Sequence, residues 1–263
     1  MAVWAVSNQK GGVAKTTTVV SLASLIAQRG ESVLILDLDP HGSLTTYFGF
    51  NPDEIETSIY TLFQKLENTP KEAIFKSLKK TPHEKVFLLP ASTAMATLDR
   101  QLGAQQGKGL VIRKTLSFFK NRFQHVIIDC PPMLGVLMIN ALAACDKLII
   151  PVQTEFLSMK GLEHMLHTVS MINHSRQTSL PYLIVPTMHD SRSKAAIDCL
   201  AQLKSQYSDT VWKSHIPVDV GFREASKLGL TLPEMSPDSA GTIAYKQLLD
   251  TLAEPEQVNI LHG

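Results

Sequence analysis

Residues 9–17 have the sequence QKGGVAKTT, and the fold can be inferred from them. This stretch follows a short apolar run at residues 3–7 and opens a helical pattern at residues 16–29, which stops at Gly30. A glycine-rich turn between a buried strand and a helix directs unpaired backbone N–H groups at one point, and such a point binds anions. The stretch therefore predicts a phosphate-binding loop in an α/β protein.

The rest of the chain repeats this alternation of apolar strands and helical patterns. The predicted strands are residues 32–37, 86–90, 125–129, 147–152 and 182–186, and the predicted helices lie near residues 109–121, 135–145, 158–174, 193–206 and 239–252. Continuous apolar strands separated by helices indicate a mainly parallel central sheet with helices on both faces. No Gly-, Ser- or Pro-rich linker divides the chain, so we expect one domain over residues 1–263, with residues 51–85 as helical decoration.

The composition excludes several classes of protein. With 263 residues, 44% of them hydrophobic, the chain can bury a sizeable core. Its 25 basic and 24 acidic residues exclude a nucleic-acid protein that binds through bulk charge. The three cysteines form no CxxC pair, which disfavours a cysteine-rich metal site and fits the reducing cytoplasm. No secretory leader is visible and no run of 18 apolar residues occurs, so we expect no membrane insertion.

Side chains within the loop carry the chemistry of a nucleotide site. Lys15 is placed to reach the β- and γ-phosphates, and the hydroxyl of Thr16 to bind Mg²⁺. Gly11 and Gly12 allow the backbone to approach the phosphates closely. Ala14 departs from the usual phosphate-loop pattern, which has glycine before the lysine. We expect its methyl group to crowd the loop and disfavour the backbone angle, and so to weaken nucleotide binding.

Carboxylates end two of the predicted strands. Asp37 and Asp39 lie two residues apart, so they point to the same side at the carboxyl edge of the sheet, where ligands bind in α/β folds. Asp129 ends the strand at residues 125–129, where it can hold the water shell of Mg²⁺ beside Thr16. We expect Asp37 to support the loop that carries Asp39.

Together these motifs resemble the ParA/MinD family of P-loop ATPases. Residues 10–17, KGGVAKTT, resemble the family's deviant Walker A box KGGxGKTT; residues 37–42, DLDPHG, are similar to its switch I box DxDPQG; and residues 127–132, IIDCPP, are similar to its Walker B and switch II region. The resemblance covers nearly the whole chain and is weakest over residues 51–110. It implies a P-loop NTPase fold that binds ATP or ADP with Mg²⁺ and hydrolyses ATP slowly.

The resemblance also implies roles for individual residues. Lys10 reaches across an ATP-bound homodimer to the partner's nucleotide, Lys15 neutralises the phosphates, and Asp39 orients the attacking water. Thr16, Asp39 and Asp129 form the implied metal site. Residues 216–225, IPVDVGFREA, are similar to the family's adenine-lining IPRNVRLSEA, which makes Pro217 and Asp219 candidate base contacts. The implied nucleotide-binding set is Lys10, Gly11, Gly12, Val13, Ala14, Lys15, Thr16, Thr17, Pro217 and Asp219.

DNA binding is expected to be weak or absent. The two arginines with which members of the family contact DNA correspond here to Val218 and Gly221. Residues 192–246 carry seven basic and six acidic side chains, so no basic surface is predicted there.

Three functions remain open at this point. The first is a ParA-like dimerisation switch that positions a cellular assembly, such as a polar chemotaxis or flagellar cluster, through a protein partner or polar anchor. DPHGS at residues 39–43 and the missing arginines make the chain similar to the chemotaxis-operon branch called ParC. The second is a plasmid or chromosome partitioning ATPase that binds DNA non-specifically. The third is a metabolic enzyme on the same scaffold, such as a ligase or reductase.

Overall fold

A seven-stranded sheet forms the centre of the protein. The computed structural model describes residues 1–66, 70–102, 110–176 and 178–254. The strands are β1 (Ala2–Val6), β2 (Val33–Asp37), β3 (Lys79–Lys80), β4 (Val86–Leu89), β5 (His125–Asp129), β6 (Lys147–Gln153) and β7 (Tyr182–Thr187). Their order is β3-β4-β2-β5-β1-β6-β7, and all neighbours are parallel except β3, which pairs antiparallel with β4 at the edge. The mainly parallel sheet predicted from the sequence is confirmed.

Helices cover both faces of this sheet. They are α1 (Lys15–Gln28), α2 (Ser43–Tyr47), α3 (Ile59–Lys65), α4 (Lys71–Lys76), α5 (Leu98–Leu102), α6 (Val111–Ser117), α7 (Val136–Ala144), α8 (Phe156–Ser175), α9 (Lys194–Gln206), α10 (Gly221–Leu228), α11 (Leu232–Met235) and α12 (Ala240–Ala253). Side chains of α1 and α12 share one buried cluster, and side chains of α3 and α6 to α9 share the other. None of the helices in the described ranges is both long enough and apolar enough to span a bilayer.

The strands are apolar throughout because both of their faces are buried. In β2 all five residues are buried. Leu34 and Leu36 belong to the cluster on one face, whereas Val33 and Ile35 belong to the cluster on the other. Alternate residues of a strand point to opposite faces, so a strand covered on both sides needs an unbroken apolar run.

The register of the three central strands places the functional residues at one edge. Asp129 of β5 pairs with Val6 of β1 on one side and with Asp37 of β2 on the other. The loops that follow β1, β2 and β5 therefore leave the sheet side by side. Strand β1 lies between β5 and β6 while its crossover leads to β2, and such a change of direction is where α/β folds bind ligands.

The predicted strands are confirmed, and the differences concern short elements. Helix α6 ends at Ser117, earlier than the predicted end near residue 121, and residues 103–109 lie outside the described ranges. The region 51–85 holds α3 and α4 as expected, together with the two-residue strand β3, which is too short to give an apolar run. Helices α10 and α11 were not predicted, because four to eight residues show too few turns for a helical period to stand out.

Candidate functional site

The phosphate loop connects β1 to α1 and is fixed by hydrogen bonds from distant side chains. The hydroxyl of Thr187 at the end of β7 donates to the carbonyl of Val13 over 3.2 Å. The hydroxyl of Thr18 donates to the carbonyl of Ala14 over 2.8 Å. Gly12 has φ of +73°, and a Cβ built on Gly11 or Gly12 would meet nothing within 4 Å. Hydrogen bonds therefore fix the carbonyl groups of the loop, and space remains beside Gly11 and Gly12, as an anion-binding loop requires.

Ala14 adopts the left-handed conformation that normally selects glycine. Its φ is 70° and its ψ is 31°, and it is the residue directly before α1. For a residue with a Cβ this conformation costs about 1–2 kcal/mol. The prediction that Ala14 sits at an unfavourable backbone angle is confirmed, and its side chain lines the adjoining cavity. Its effect on nucleotide binding stays a prediction.

Lys15 is a buried cation at the start of α1. Its Nζ donates a hydrogen bond to the carbonyl of Lys10 over 3.1 Å. Burial lowers its pKa, and the charges of Asp129 and Asp39 oppose that shift. These three side chains therefore lie close enough to interact, which places the ammonium group between the cradle and the carboxylates.

Thr16 and Asp129 form the contact that the sequence predicted for a metal site. The hydroxyl of Thr16 donates to Oδ2 of Asp129 over 2.6 Å. Oδ1 of Asp129 is buried and has no hydrogen-bond partner among the described residues. Burial, together with the charge of Asp37, raises the pKa of Asp129 well above its ordinary value. A buried carboxylate oxygen without a hydrogen-bond partner among the described residues fits Mg²⁺, which would lower the pKa of Asp129 again.

Asp37 organises the turn between β2 and α2. It is fully buried, and Oδ2 accepts hydrogen bonds from the backbone N–H of Thr45 over 2.8 Å and from its hydroxyl over 2.7 Å. Oδ1 accepts from the backbone N–H of Asp39 over 3.1 Å. Burial raises the pKa of Asp37 to about 7. All of its described contacts hold the turn, which matches the supporting role expected from the sequence.

Asp39 lies at the front of that turn. Its Oδ1 accepts from the backbone N–H of His41 over 3.0 Å and lies 2.9 Å from Nδ1 of the His41 ring. The side chain of Asp39 is 16% exposed, whereas that of His41 is 81% exposed. Oδ2 of Asp39 accepts no hydrogen bond from a described residue, and the charge of Asp39 acts on Lys15 of the phosphate loop. A role in orienting water is compatible with this position and stays a prediction.

The side chain of Lys10 lies against its own α8. Its Nζ forms an ion pair with Glu155 and donates to the hydroxyl of Ser158 over 2.9 Å. A Cβ on Gly161 would come within 3.0 Å of Cβ of Lys10, so glycine allows α8 to approach the loop. Glu155 and Ser158 were not predicted as partners of Lys10. The only sequence signal was a carboxylate directly after β6, which alone does not specify a partner.

A cavity of about 550 Å³ runs from the phosphate loop to the segment 216–223, within the size range of small-molecule sites. Its lining residues come from six regions of the chain: Ala14, Thr16, Thr17, Val20, Ser21, Ser43, Tyr47, Gln153, Met188, Ile216, Pro217, Val218, Asp219, Val220, Phe222, Arg223, Ser226, Leu232 and Tyr245. The structure thus brings Pro217 and Asp219 into one cavity with the phosphate loop. Tyr47, Met188 and Tyr245 were missed, because no motif marks an aromatic or apolar residue as cavity lining.

The loop at residues 216–218, here called the base loop, is held by its backbone. The N–H of His189 donates to the carbonyl of Ile216 over 3.0 Å, and the N–H of Val218 donates to the carbonyl of His189 over 3.1 Å. The rings of His189 and His215 pack with their centroids 4.3 Å apart. Met188, directly before His189, has φ of 51° and lines the cavity. The segment that contains His189 therefore sets the position of the base loop.

Comparison with known proteins agrees with this geometry. Residues 1–182 match a family model described as an AAA domain. The chain is 33% identical over 250 residues to the sporulation initiation inhibitor protein Soj of Bacillus subtilis, which covers 95% of this chain and 97% of that protein. It is 30% identical over 249 residues to the chromosome partitioning protein ParA of Caulobacter vibrioides, with 94% of this chain and 91% of that protein covered.

A solved structure resembles the chain over nearly the same length. It is cobyrinic acid a,c-diamide synthase from Mycobacterium smegmatis, with an ATP analog and magnesium bound, and the superposition gives a TM-score of 0.82 at 34% identity. The match covers 96% of this chain and 94% of that one. The likeness therefore includes both the phosphate loop and the base loop.

Proposed function

The chain belongs to the ParA/MinD-type P-loop ATPases. We propose that it binds ATP with Mg²⁺, hydrolyses ATP slowly and dimerises while ATP is bound. The observation that carries the proposal is the contact between Thr16 and Asp129 beside the buried Lys15. A hydroxyl, a carboxylate oxygen with no hydrogen-bond partner among the described residues and a cation meet at the start of a helix. Together they supply the groups that a Mg²⁺–nucleotide needs.

Each group has a distinct task in the proposed reaction. Thr16 and Asp129 would hold Mg²⁺, which supplies charge neutralisation on the phosphates when bound. Lys15 neutralises the β- and γ-phosphates, and the loop's N–H groups fix them in place. Asp39 orients the attacking water from the open side of its turn. Protein groups perform no covalent chemistry in such a reaction, so positioning and charge carry the rate.

The proposed dimer requires Lys10 to change partners. In the structure its ammonium group is held by Glu155 and Ser158 of the same chain. To reach a nucleotide on a second copy, Lys10 has to leave both. The negative charge of a well-placed γ-phosphate competes with Glu155 for this cation, which links dimerisation to ATP rather than ADP.

Exposed apolar residues mark the face on which a second copy fits. Met133 and Leu134, beyond β5, are 71% and 45% exposed, and Phe156 and Leu157, beyond β6, are 77% and 66% exposed. Strands β5, β1 and β6 are neighbours, so these residues flank the phosphate loop at one edge of the sheet. Large apolar side chains exposed together indicate an interface. Its position agrees with a dimer that forms around the nucleotide.

We further propose that the switch positions a protein assembly, such as a polar chemotaxis or flagellar cluster. Two features favour a protein partner or polar anchor over DNA. Val218 and Gly221 stand where DNA-binding members of the family carry arginine. Val218 and Val220 are 55% and 70% exposed, so this surface is apolar rather than basic. An apolar surface suits a protein contact and makes no ionic contact with phosphate.

Two other functions have observations behind them. The relative named chromosome partitioning protein ParA favours a partitioning ATPase. The 34% identity to cobyrinic acid a,c-diamide synthase favours a metabolic enzyme on the same scaffold. For a reductase on this scaffold cluster-binding cysteines would be expected, and the three cysteines form no CxxC pair.

Titration with ATP, ADP and Mg²⁺ tests the proposal, with binding read by calorimetry and dimerisation by sedimentation. The chain is compared with Ala14→Gly, in which the loop has its usual glycine. We expect Ala14→Gly to dimerise with ATP and to remain monomeric with ADP. ATP binding without a nucleotide-dependent dimer in either protein would overturn the switch. Tight, salt-sensitive binding of the ATP-bound protein to random duplex DNA would favour partitioning instead.

A further inference from the structure

We propose that Asp219 is a positioning residue that clamps two helices and thereby sets the base end of the cavity, rather than a residue that reads the base. This inference rests on the proposed function, because it assigns the base end of the nucleotide cavity to the base loop. The sequence suggests Asp219 as an acceptor for the adenine amino group. The structure uses its carboxylate differently.

Both carboxylate oxygens of Asp219 accept hydrogen bonds from backbone N–H groups. Oδ1 accepts from Gly221 over 2.9 Å, and Oδ2 accepts from Gly241 over 3.0 Å. Gly221 is the first residue of α10 and Gly241 is the second residue of α12. The first N–H groups of a helix have no acceptor within the helix, and the helix dipole favours a negative charge there. One carboxylate therefore accepts hydrogen bonds from the N-termini of two helices.

Only glycine fits at positions 221 and 241 without a shift of neighbouring atoms. A Cβ on Gly241 would lie 2.7 Å from ring atoms of Phe222 and 2.9 Å from Oδ2 of Asp219. A Cβ on Gly221 would lie 2.7 Å from Cδ1 of Leu232 and 3.1 Å from Oδ1 of Asp219. Contacts that close displace the neighbouring side chains of Phe222 and Leu232, the carboxylate or the helices. Two separate helices are thus shaped around one side chain.

The clamp connects to the phosphate loop through α12. Phe222 of α10 and Tyr245 of α12 both line the cavity, and their rings pack edge to face with centroids 5.7 Å apart. The hydroxyl of Tyr245 lies 2.9 Å from that of Thr18, which in turn donates to the carbonyl of Ala14. Through this chain of contacts, Asp219 fixes the distance between the base loop and the phosphate loop.

The chemistry of the two N–H donors explains why aspartate is needed. Both partners are donors, so the side chain must offer an acceptor on each side, as a carboxylate does. Asparagine has the same shape but presents an NH₂ group on one side, where it faces another N–H donor. Asp219→Asn therefore opens one arm of the clamp with little change in volume. It is the most selective variant for the test.

The test compares ATP with purine riboside triphosphate, which lacks the adenine amino group. If Asp219 is a clamp, Asp219→Asn weakens the binding of both nucleotides by the same factor, about tenfold for a lost charge-assisted hydrogen bond. The ratio of the two affinities then stays at its parent value, and kcat stays unchanged while KM rises. If Asp219 reads the base, Asp219→Asn keeps an acceptor for the adenine amino group. Asp219→Ala, which has no acceptor, then weakens only ATP binding, and the ratio falls toward one. That outcome, or no change in either affinity, overturns the proposal.

Asp238→Asn is the matched control, because Asp238 is exposed near the start of α12 and takes part in no hydrogen bond among the described residues. It makes the same chemical change without touching the clamp, and we expect parent affinities. Gly241→Ala is a second variant that keeps Asp219 but forces the clamp apart. The clamp predicts an equal loss for both nucleotides in Gly241→Ala as well.

A measurement without nucleotide separates this inference from the proposed function. Amide hydrogen exchange of Gly221 and Gly241 in the nucleotide-free protein reports the clamp directly. We expect both amides to be protected in the parent and in Asp238→Asn, and at least one to lose protection in Asp219→Asn. Fast exchange of both amides in the parent overturns the clamp. Protected amides in a protein that binds neither nucleotide would instead overturn the proposed function and leave the clamp standing.

Discussion

At the phosphate end of the cavity the functional groups are charged side chains, whereas at the base end they are backbone groups and the residues that hold them. Lys15, Asp37 and Asp129 are buried ionisable side chains at one edge of the sheet. The base loop instead exchanges two backbone hydrogen bonds with His189 and is neighboured by the Asp219 clamp. Substitutions at the phosphate end are therefore expected to act on the bound phosphates directly, whereas substitutions at the base end act through the position of a loop.

The two ends also differ in how well their polar groups are satisfied. Asp129 keeps a buried oxygen without a described partner, and burial raises its pKa. Each oxygen of Asp219 has a backbone donor. Buried polar groups without partners cost free energy that a ligand can recover. The phosphate end is thus incomplete until nucleotide and Mg²⁺ bind, whereas the base end is complete beforehand.

Lys15→Ala should have the largest effect, because it removes the buried cation of the phosphate end. We expect ATP affinity to fall by roughly a hundredfold, the upper range for a hydrogen bond to a charged group. Calorimetry with ATP and Mg²⁺ measures it, and Lys160→Ala, an exposed lysine on α8, is the control. Unchanged affinity in Lys15→Ala would contradict the assignment of the phosphate loop.

Asp39→Ala should separate hydrolysis from binding. Asp39 lies on the open side of its turn, so we expect ATP affinity near the parent value and kcat lower by about 10²-fold, the low end for a positioned acid or base. The ATP-bound dimer should persist longer in proportion. Steady-state turnover and dimer lifetime are the measurements.

His41→Ala, which removes only the contact to Asp39, should give a much smaller change in turnover. If Asp39→Ala hydrolysed ATP at the parent rate, another carboxylate would have to orient the water.

Ala14→Gly tests the strained position of the phosphate loop. If the methyl group crowds the cradle, the parent stays mostly monomeric even with excess ATP and Mg²⁺, and Ala14→Gly gains several-fold in affinity and forms dimers. Lys10→Ala in the Ala14→Gly background should abolish the dimers again. Sedimentation of all three proteins with ATP measures this. Equal dimerisation of parent and Ala14→Gly would show that the loop tolerates the methyl group.

Nucleotide-free stability should change little in Ala14→Gly. Relief of the left-handed strain, about 1–2 kcal/mol, is partly offset by the greater backbone entropy that glycine loses on folding, about 0.5–1 kcal/mol. We therefore expect the free energy of unfolding to rise by no more than about 1.5 kcal/mol, which denaturant titration resolves.

The phosphate end could be predicted from the sequence because its residues follow strands. Apolar runs locate the strands, and parallel register then brings the residues after β1, β2 and β5 to one edge. The contact between Thr16 and Asp129 follows from that geometry although the residues are 113 positions apart. The left-handed conformation of Ala14 follows from the usual glycine at that position.

The remaining contacts could not be predicted, because they depend on side-chain direction between distant segments. Lys10 meets Glu155 across 145 positions, and Asp219 meets Gly241 across 22, with no repeated spacing to signal either contact. The packing of His189 on His215 is of the same kind. Loop residues of this sort show neither a helical nor a strand period, so periodicity carries no information about them.

The pH dependence of the base end is the smallest expected effect. Burial lowers the pKa of both His189 and His215; the charge of Lys204 adds to each shift, His189 adds to that of His215, and Asp190 opposes that of His189. Because both pKa values lie below the ordinary value of about 6.5, the folded base loop favours neutral rings. The neutral rings of His189 and His215 contribute fully to the free energy of unfolding above about pH 6.5. This contribution is lost as the pH falls below that value toward the folded-state pKa values of the two histidines.

We therefore expect ATP affinity to fall as the pH drops below the ordinary histidine pKa of about 6.5, because charged rings 4.3 Å apart repel and loosen the loop that His189 holds. His215→Gln removes one ring and should lose part of this dependence. His167→Gln, an exposed histidine on α8, should keep all of it and so corrects for protonation of the nucleotide itself. Identical pH profiles for the parent, His215→Gln and His167→Gln would show that the base loop does not respond to the histidine pair.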